Sequence, residues 1–379
     1  MNRSYDITFV LPVVTYDVPP GGYNVVFRLA NEARVAGLRA SLVFMNREGG
    51  FVRNIIGKLF DNHRLTFFYW MLPILNRFRH IDYDYGILKG IDIFFTKNAK
   101  DLDISSNAYI ATAWQTAGLV HQLASNGDSK GFYLIQNEED RKSFSGNLSE
   151  EARKTYDLPL KKIVINKSLQ ERFKTDYPYF LQIGFEDSYF RRIESIPKDP
   201  FLVMMPLRFE SFKGGQTGIN ALTIVKEKRP ELKYLAFGNM NPDLVPSFIE
   251  YKLRPPNSLL LEMYNRASIF VLPSEVEGFP VPPLEAMSCG CALVTTLNGG
   301  VESYAVDGEN CLSCPPGDHE ALASRVEKLV ERRELMDKIS KNGIVTAGKY
   351  SFHSTVDRFL AIMKEEGITG KPKNRISRE

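Results

Sequence analysis

Four charged residues in the second half of the chain have types and positions that suit a phosphorylated ligand bearing hydroxyl groups. Arg208 and Lys213 follow the apolar run FLVMMPL, whereas Glu277 and Glu285 belong to the stretch SEVEGFPVPPLEAMSCG. A guanidinium and an ammonium together can neutralise a diphosphate. Ionised carboxylates accept hydrogen bonds from hydroxyl groups. The residue types therefore indicate a site for a ligand that carries both kinds of group.

The spacing of the two glutamates indicates a turn between them. Eight residues span about 12 Å on a helix, with the side chains about 80° out of phase, and about 26 Å on a strand. Pro280, Pro282 and Pro283 disfavour both regular elements. We therefore predict a strand over IFVLP, a loop over SEVEGFPV and a helix over PPLEAMSCG. Glu285 then lies in the first turn of that helix, and Gly290 caps its end.

A third loop supports the ligand interpretation. LNGGVESY follows the apolar run ALVTT, and its Gly299 and Gly300 allow close approach of the backbone, with Glu302 opening another helix. Ligands of open parallel sheets bind at the carboxyl ends of the strands, so three such loops in one domain predict one shared site.

Each charged residue also has a purely structural interpretation. The dipole of a helix favours a carboxylate such as Glu285 in the first turn without any ligand. Arg208 and Lys213 could each be a solvated loop cation.

The elements that must position these residues alternate along almost the whole chain, which is typical of parallel sheets built from βαβ units. The predicted strands are ITFVLPVV, ASLVF, AYIATA, FYLIQ, KIVI and YFLQI in the first half, and FLVMMPL, KYLAF, SIFVLP, ALVTT and CLSC in the second. Predicted helices of the second half lie near 216–228, 258–267, 283–289 and 318–346. We expect an α/β protein with two doubly wound domains.

The polar stretch RRIESIPKDP at 191–200 carries two prolines and separates the two series of elements. We place the first domain at 1–195 and the second at 196–350. Residues 351–379 are predicted to be a C-terminal helix that crosses back to the first domain, followed by a basic tail.

Bulk composition narrows the class of protein. A chain of 379 residues fits two domains of ordinary size. The net charge of +3 is too small to indicate nucleic acid as a partner. The apolar run near the N-terminus starts after Asp6 and contains Pro12, which favours a buried strand over a signal peptide. We expect a cytoplasmic protein.

The four cysteines all lie late in the sequence, and two interpretations are open. The C-x-x-C spacing of Cys311 and Cys314 is compatible with a zinc site. Cys289 and Cys291 flank a predicted helix end and an apolar strand, which favours small core residues in a reducing compartment.

The second half resembles the retaining glycosyltransferases of family four, which have the GT-B fold of two Rossmann-like domains that face a central cleft. The resemblance rests on a series of motifs in the family's order: Arg208, Lys213–Gly214, FGN at 237–239, PSEVEGFPVPPLEAMSCG, GG-x-E at 299–302 and DGENC at 307–311. The rest of the chain matches in architecture rather than in motif.

The resemblance implies a role for each matching residue. Arg208 and Lys213 would hold the diphosphate of the donor, and Glu277 would contact its sugar, so these three form the implied catalytic set. Glu285 would bind the ribose hydroxyls. The other implied donor-binding residues are Gly278, Phe279, Pro280, Val281, Gly238 and Asn239. Pro280 stands where the family commonly has glycine, which removes one amide donor.

In the first half, the loop VPPGGYN precedes a helix, and family members often have a glycine pair there. We expect Gly21 and Gly22 to bring backbone close to the donor. Two further segments, ATAWQTAG and YLIQNEED, include or follow predicted strands and form the expected acceptor side, with Thr112, Trp114, Gln115 and Gln136. These segments also resemble a bacterial rhamnosyltransferase subgroup.

Residues 51–80 differ from the rest of the chain, with five Arg or Lys against one Asp and seven aromatic residues. A basic, aromatic helical stretch suits an anionic membrane surface or a lipid-linked acceptor. The alternative is a helix pair that packs on the sheet with a solvated basic face.

The expected activity is transfer of a sugar, with retention, from a nucleoside diphosphate donor to a glycan or lipid-linked acceptor in cell-surface polysaccharide synthesis. We expect no cofactor and no metal, and we interpret the D-x-D strings at Asp82–Asp84 and Asp101–Asp103 as surface turns. Two alternatives stay open: a non-catalytic partner subunit that binds a nucleotide sugar, and a nucleotide-sugar epimerase.

Overall fold

The computed structural model describes residues 3–12, 21–45, 90–96, 98–125 and 127–370. The chain packs as two units. The first comprises the chain up to Ile163, a short insertion at Tyr177–Tyr179 and the chain from Phe359 onward. The second comprises Val164–Asp176 and Phe180–Arg358.

The first unit is built on a sheet with the strand order β3-β2-β1-β4-β5-β6-β7. Strand β1 pairs in parallel with both β2 and β4, and further parallel pairings join β2 to β3 and β4 to β5. The strand bounds are Arg3–Leu11 for β1, Ala40–Met45 for β2, Asp92–Thr96 for β3, Ile104–Ala111 for β4, Lys130–Ile135 for β5, Lys161–Val164 for β6 and Tyr179–Phe180 for β7.

Helices cover this sheet where apolar residues recur at helical spacing. Helix α1 is Gly21–Val35 and buries Val26, Phe27 and Leu29, and helix α2 is Trp114–Ala124. Two short helices follow, α3 at Lys142–Ser145 and α4 at Ser149–Lys154.

The second unit contains a six-stranded parallel sheet with the order β10-β9-β8-β11-β12-β13. The strand bounds are Asp199–Leu207 for β8, Lys233–Gly238 for β9, Ile249–Leu253 for β10, Ala267–Leu272 for β11, Ala292–Thr296 for β12 and Cys311–Cys314 for β13. The helix bounds are Lys167–Arg172 for α5, Gly215–Lys228 for α6, Asn257–Arg266 for α7, Pro282–Ser288 for α8, His319–Glu331 for α9 and Arg333–Ala347 for α10. Helix α11 is Phe352–Glu365, and its residues from Phe359 onward belong to the first unit.

Each face of the second sheet carries its own apolar core. Successive side chains of β8 alternate between them: Val203 and Met205 belong to one core, Leu202 and Met204 to the other. Both faces of a parallel sheet are covered by helices, so the strands are apolar without interruption.

The cysteines follow the same alternation. Cys311 and Cys314 lie three residues apart on β13 and contribute to opposite cores. All four cysteines are free and buried, which confirms the prediction of core residues. Burial raises the pKa of the Cys311 thiol to about 12 and that of Cys314 to about 11, so neither is a ready thiolate.

The prediction of an α/β protein with two parallel sheets is confirmed, with local corrections. Strands β3 and β10 were not predicted, and the pattern over 318–346 divides into α9 and α10 at Arg332. Helix α1 begins at Gly21, so the glycine pair lies in its first turn rather than in a loop before it.

The predicted boundary at 191–200 packs against the second unit. The guanidinium of Arg192 donates to the carbonyls of Ile193 and Ile196, and the ammonium of Lys198 donates to those of Tyr264 and Ala267. The division at residue 195 stays a prediction about separate domains.

Among the described residues, no helix combines the length and the apolar composition needed to cross a bilayer. The basic, aromatic segment 51–80, the string Asp82–Asp84 and the tail from residue 371 lie outside the described residues.

Candidate functional site

Three loops meet at the carboxyl edge of the second sheet. The first loop (208–214) follows β8, the central loop (273–281) follows β11, and the third loop (297–300) follows β12. The amide of Glu275 donates to the carbonyl of Phe212 at 2.8 Å, and the amide of Glu277 donates to the carbonyl of Asn298 at 2.9 Å. The central loop is therefore tied on both sides, as the shared-site prediction requires.

An ion pair links the first loop to the central loop. The ammonium of Lys213 lies 2.7 Å from a carboxylate oxygen of Glu277. The two side chains are 26% and 12% exposed, so both retain access to solvent while water screens the pair only in part. The Lys213 ammonium also lies 5.2 Å from the centre of the Phe212 ring.

Gly214 allows this close approach of the two loops. Its φ of +65° is in the left-handed region, which favours glycine. A Cβ at this position would lie 1.9 Å from the carbonyl oxygen of Pro273. A side chain here would push the first loop away from the central loop and separate Lys213 from Glu277.

Asn239 positions the stretch that carries Arg208. Its side-chain oxygen accepts from the amide of Phe209 at 3.2 Å, and its own amide donates to the carbonyl of Leu207 at 3.1 Å. A Cβ at Gly238 would lie 1.8 Å from that same carbonyl oxygen. Arg208 is partly buried, and no ion pair joins it to another described residue.

Glu285 lies in the first turn of α8, as predicted, and Gly290 follows that helix with a φ of +82°. The buried hydroxyl of Tyr264 donates to a carboxylate oxygen of Glu285 at 3.0 Å. Burial, reinforced by the charge of Glu285, raises the pKa of Tyr264 well above its usual value. Tyr264 therefore stays a hydrogen-bond donor at physiological pH and fixes the carboxylate.

Aromatic side chains support the central loop. The hydroxyl of Tyr304 donates to the carbonyl of Pro280 at 2.6 Å, and the ring of Phe279 packs on Tyr304 and Tyr350 at centroid distances of 5.4 and 6.0 Å. Burial, followed by the charge of Glu277, raises the pKa of Tyr304 well above its usual value. The Tyr304 hydroxyl therefore also stays protonated and remains a hydrogen-bond donor, which fixes the backbone of the central loop at Pro280.

Several backbone N–H groups of the central loop donate no hydrogen bond to a described residue, among them those of Gly278, Phe279 and Val281. Pro280 and Pro282 contribute no N–H. Free amides beside a partly exposed ion pair are suited to an anionic or oxygen-rich ligand.

The third loop approaches the central loop through Gly300. A Cβ at Gly300 would lie 2.7 Å from the carbonyl oxygen of Gly278. The side-chain oxygen of Asn298 accepts from the amides of Gly300 and Val301 at 3.2 and 3.0 Å. Glu302 accepts from the amide of Gly299 at 3.1 Å.

The first unit places its predicted residues near the carboxyl edge of its own sheet. The amide nitrogen of Gln136 donates to the carbonyl of Thr112 at 3.2 Å, and the Thr112 hydroxyl donates to the carbonyl of Val10 at 2.9 Å. A Cβ at Gly22 would lie 2.9 Å from the side-chain oxygen of Gln136, whereas one at Gly21 would have no described atom within 4 Å.

A buried carboxylic acid lies beneath the start of helix α2. Glu139 accepts from the hydroxyl of Tyr133 and from the backbone N–H of Trp114. Burial raises the pKa of Glu139 to about 8, although these hydrogen bonds oppose the shift. The next residue of α2, Gln115, has a buried side-chain oxygen that accepts no hydrogen bond from a described residue.

Within the described residues, no group of three or more His, Cys, Asp or Glu side chains is arranged to hold a metal ion. Asp101 ends a short 3-10 turn and accepts from the side-chain amide of Asn98 at 2.6 Å.

Comparison with known proteins identifies the part of the chain that carries this site. Residues 187–346 match the family described as glycosyl transferases group 1. The match covers less than half of the chain. It contains all three loops together with the Lys213–Glu277 pair and Glu285.

Curated relatives are similar over part of their length. The N,N'-diacetylbacillosaminyl-diphospho-undecaprenol alpha-1,3-N-acetylgalactosaminyltransferase of Campylobacter jejuni is 26% identical over 228 residues, which covers 58% of each chain. The capsular polysaccharide biosynthesis glycosyltransferase CapM of Staphylococcus aureus is 27% identical over 154 residues, 38% of this chain and 40% of CapM. The chain thus spans about half the length of these relatives.

Solved structures match the fold over nearly the whole chain. Sucrose-phosphate synthase from Thermosynechococcus elongatus has a TM-score of 0.68 at 15% identity, and HepE from Anabaena has 0.70 at 13%, each match covering 95% of this chain and 99% of the other. At such identities the likeness concerns the fold alone. The chain has the GT-B fold, as the sequence predicted.

Several residues that build the site were not predicted. Tyr264 and Tyr304 orient the glutamate and the loop from sites distant in sequence, and no local pattern marks them. Asn166 donates to the carbonyl of Gly278 at 2.7 Å. Its position just after an apolar strand and before a helix is a detectable N-cap signal, although this signal does not reveal the distant contact.

Proposed function

We propose that this protein transfers a sugar from a nucleoside diphosphate donor to a hydroxyl of a saccharide acceptor. The observation that supports this most directly is the 2.7 Å ion pair between Lys213 and Glu277 at the junction of three strand-end loops. It places a cation and a carboxylate side by side, as a charged leaving group attached to a hydroxyl-bearing ring requires. The segment that matches the group 1 glycosyl transferases, residues 187–346, contains this site and supports the proposal.

The cations act on the leaving group. When the bond between the anomeric carbon and the phosphate oxygen breaks, its electron pair stays on the diphosphate, and negative charge grows there. Fixed positive groups that face such charge stabilise the transition state more than the ground state. Arg208 and Lys213 fill this role, and the free amides of Gly278 and Phe279 add hydrogen-bond donors to the same charge.

The carboxylates act on hydroxyl groups. Glu277 accepts from the transferred sugar, and its orientation is set by Lys213 on the one side and by its own backbone bond to Asn298 on the other. Glu285, held by Tyr264, accepts from the ribose. The remaining donor contacts are the backbone of the central loop up to Val281, with Pro280 limiting the number of amides.

We propose retention of anomeric configuration through attack on the face that the diphosphate leaves. The acceptor oxygen then forms the new bond to the anomeric carbon, and its proton passes to an oxygen of the departing diphosphate. This route needs neither a second carboxylate nucleophile nor a protein-bound metal. NMR of the first product formed distinguishes an axial from an equatorial linkage and so tests retention directly.

We assign the acceptor side to the first unit, with Thr112, Trp114, Gln115 and Gln136, and we assign Gly21 and Gly22 at the start of α1 to donor binding. The printed name of the Campylobacter relative contains a diphospho-undecaprenol saccharide, and CapM takes part in capsular polysaccharide synthesis. We propose a lipid-linked saccharide acceptor in a comparable cell-surface pathway, reached at the inner face of the membrane.

The first experiment is a thermal-shift panel of nucleotide sugars with the full chain. HepE has been solved with UDP-glucose, so UDP-, GDP- and dTDP-sugars form the initial set. A ligand at 100 times its dissociation constant stabilises the folded protein by about 2.7 kcal/mol. The sugar that shifts the melting temperature is then incubated with polyprenyl-diphosphate saccharides, with and without EDTA, and nucleotide release is measured.

Arg208→Ala supplies the matched test of the site. We expect normal folding and a loss of turnover of about 100-fold, because one electrostatic contact to the leaving group disappears. Arg229→Ala, just after the end of α6, removes a partly exposed cation paired with Glu331 and should retain wild-type turnover. Equal turnover of both variants would contradict the proposal, and donor binding without turnover on any acceptor would favour the partner-subunit alternative.

A further inference from the structure

Asn166 joins a segment at the end of β6 to the central loop. It lies between β6 and the short helix α5 and is 3% exposed. Its side-chain oxygen accepts from the amide of Leu169 at 2.7 Å, and its side-chain nitrogen donates to the carbonyl of Gly278 at 2.7 Å. Both ends of the buried amide are therefore used.

The two bonds require an amide side chain at this position. Serine, threonine and aspartate also cap helices by accepting a backbone hydrogen bond. An ionised aspartate offers no donor to a second carbonyl, and a serine hydroxyl is too short to cap the helix and reach Gly278 at once. Only asparagine among the usual N-cap residues satisfies Leu169 and Gly278 together.

The bond to Gly278 fixes the direction of a neighbouring amide. In a trans peptide unit the C=O and the following N–H point in opposite directions across one plane. With the Gly278 carbonyl turned toward Asn166, the N–H of Phe279 points away from Asn166. That N–H donates no hydrogen bond to a described residue. Pro280 cannot replace it, because it has no N–H.

We propose that Asn166 is a positioning residue that fixes the peptide plane between Gly278 and Phe279 and thereby aims the Phe279 amide at the bound donor. The effect on donor binding rests on the proposed function. The fixed orientation of the peptide plane does not. Asn166 does not touch the reacting atoms. It acts through the central loop, together with Tyr304 at Pro280 and the Asn298 carbonyl at Glu277.

Hydrogen–deuterium exchange of the ligand-free protein tests whether Asn166 fixes the central loop. Asn166→Ser retains the cap of α5 but loses the bond to Gly278, so amides in a peptide covering 274–281 should exchange about tenfold faster. Asn166→Ala should accelerate the same peptide to the same degree and also lower the melting temperature through loss of the cap. Unchanged exchange over 274–281 in Asn166→Ser overturns the inference.

A matched control separates loop positioning from general stability. Asp318 caps α9 by accepting from the amide of Ala321 at 2.9 Å, and within the described residues no hydrogen bond joins it to the central loop. Asp318→Ala should lower the melting temperature like a lost cap while leaving exchange over 274–281 and donor affinity at wild-type values. Faster exchange over 274–281 in Asp318→Ala would mean that loss of stability alone loosens the loop, which also overturns the inference.

The affinity for the nucleotide sugar tests whether the Phe279 amide is aimed at the bound donor. With the nucleotide sugar from the thermal-shift panel, Asn166→Ser should bind about tenfold more weakly by calorimetry, since one aimed amide is lost. During turnover, we expect KM for the donor to rise more than kcat falls. If the wild-type protein binds no nucleotide sugar, the proposed function fails, and the exchange experiment still decides the role of Asn166.

Discussion

Two lysine–carboxylate clusters of similar geometry lie in the two units, and their surroundings differ. In the first unit, Glu366 lies 2.6 Å from Lys161 and 3.0 Å from Lys130, where strands β6 and β5 begin, and it also accepts from the hydroxyl of Tyr179. In the second unit, a carboxylate oxygen of Glu277 lies 2.7 Å from the ammonium of Lys213, in the loops at the carboxyl edge of the sheet.

The two clusters differ in how many protein groups donate hydrogen bonds to the carboxylate. Burial alone would raise the pKa of Glu366, but hydrogen bonds from Lys161, Tyr179 and Lys130 hold it at about 2. Glu366 follows α11, whose residue Phe359 stacks on Phe9 at 5.7 Å, so this cluster holds the C-terminal segment on the first sheet. The pair at the second sheet has free amides beside it. We call the Glu366 cluster saturated, because protein donors use its carboxylate, and such a cluster stabilises the fold. We call the Lys213–Glu277 pair unsaturated, because free amides lie beside it, and such a pair is available to a ligand.

The largest expected effect breaks the unsaturated pair. Lys213→Ala should lower turnover by about 100- to 1,000-fold, or roughly 3–4 kcal/mol in transition-state free energy, because the cation facing the leaving group is gone. Steady-state nucleotide release measures it. Lys228→Ala, at the other end of α6, removes an exposed lysine paired with Glu327 at 2.9 Å and serves as the control. Near-wild-type turnover of Lys213→Ala would show that the two clusters do not differ in function.

A third carboxylate, Glu139, extends the comparison because its pKa is shifted in the opposite direction to that of Glu366. Burial raises its folded-state pKa to about 8, above the unfolded value. Its contribution to stability is complete below about pH 4.5 and is lost as the pH rises through 8, with a slope of about 1 kcal/mol per pH unit.

Urea denaturation between pH 5 and pH 9 measures this slope in the wild type and in Glu139→Gln. The glutamine keeps an oxygen that accepts from Tyr133 but does not titrate, so the decline should flatten. A parallel decline in both proteins would assign the pH dependence to other groups.

Removing the charge of the saturated cluster should affect stability and leave donor binding unchanged. Glu366→Gln weakens the hydrogen bonds from three donors, two of them ammonium groups, and should lower the free energy of unfolding by about 2 kcal/mol at pH 7. Because the folded-state pKa of Glu366 is depressed, this difference should disappear as the pH falls from about 4.5 toward 2. Chemical denaturation gives the first quantity, and calorimetry with the nucleotide sugar gives the second. A weaker donor affinity in Glu366→Gln would contradict the separation of roles.

The smallest expected effect concerns orientation rather than charge. Tyr264→Phe removes the hydroxyl that holds Glu285, leaving the carboxylate in place but less constrained. We expect donor affinity to fall by about fivefold, near 1 kcal/mol. Tyr251→Phe is a suitable control, since its hydroxyl donates to the carbonyl of Met240 at 3.1 Å. A larger loss in the control than in Tyr264→Phe would remove Glu285 from the ribose contact.

Local chemistry explains which parts of the molecule were predictable from the sequence. The strand, loop and helix around Glu277 and Glu285 follow from an apolar run, three prolines and a terminal glycine, and the structure has them within a residue or two. Strands β3 and β10 escaped prediction because they lie at sheet edges, where exposed and buried residues are mixed. The C-x-x-C spacing suggested a zinc site as one option, which the alternation of strand side chains contradicts by directing Cys311 and Cys314 to opposite faces.

The contacts that build the site depend on tertiary structure, which the sequence pattern did not contain. Glu277 was assigned to a sugar and Lys213 to a diphosphate, but their direct bond follows from the meeting of two loops 64 residues apart. Asn166 lies 112 residues from Gly278. Contacts of this kind leave no periodic signal, because each partner has an ordinary local environment.

The two glycines beside the site, Gly214 and Gly238, have a consequence for variation among proteins built this way. At each, the missing Cβ would lie within 2 Å of a main-chain oxygen on a neighbouring strand or loop. The spacing of the strand ends at these two positions is therefore set by contacts between main-chain atoms, which no choice of side chain can change. New donor preferences should then arise at outward-facing positions such as Phe209, which is 70% exposed, while the framework beneath stays constant.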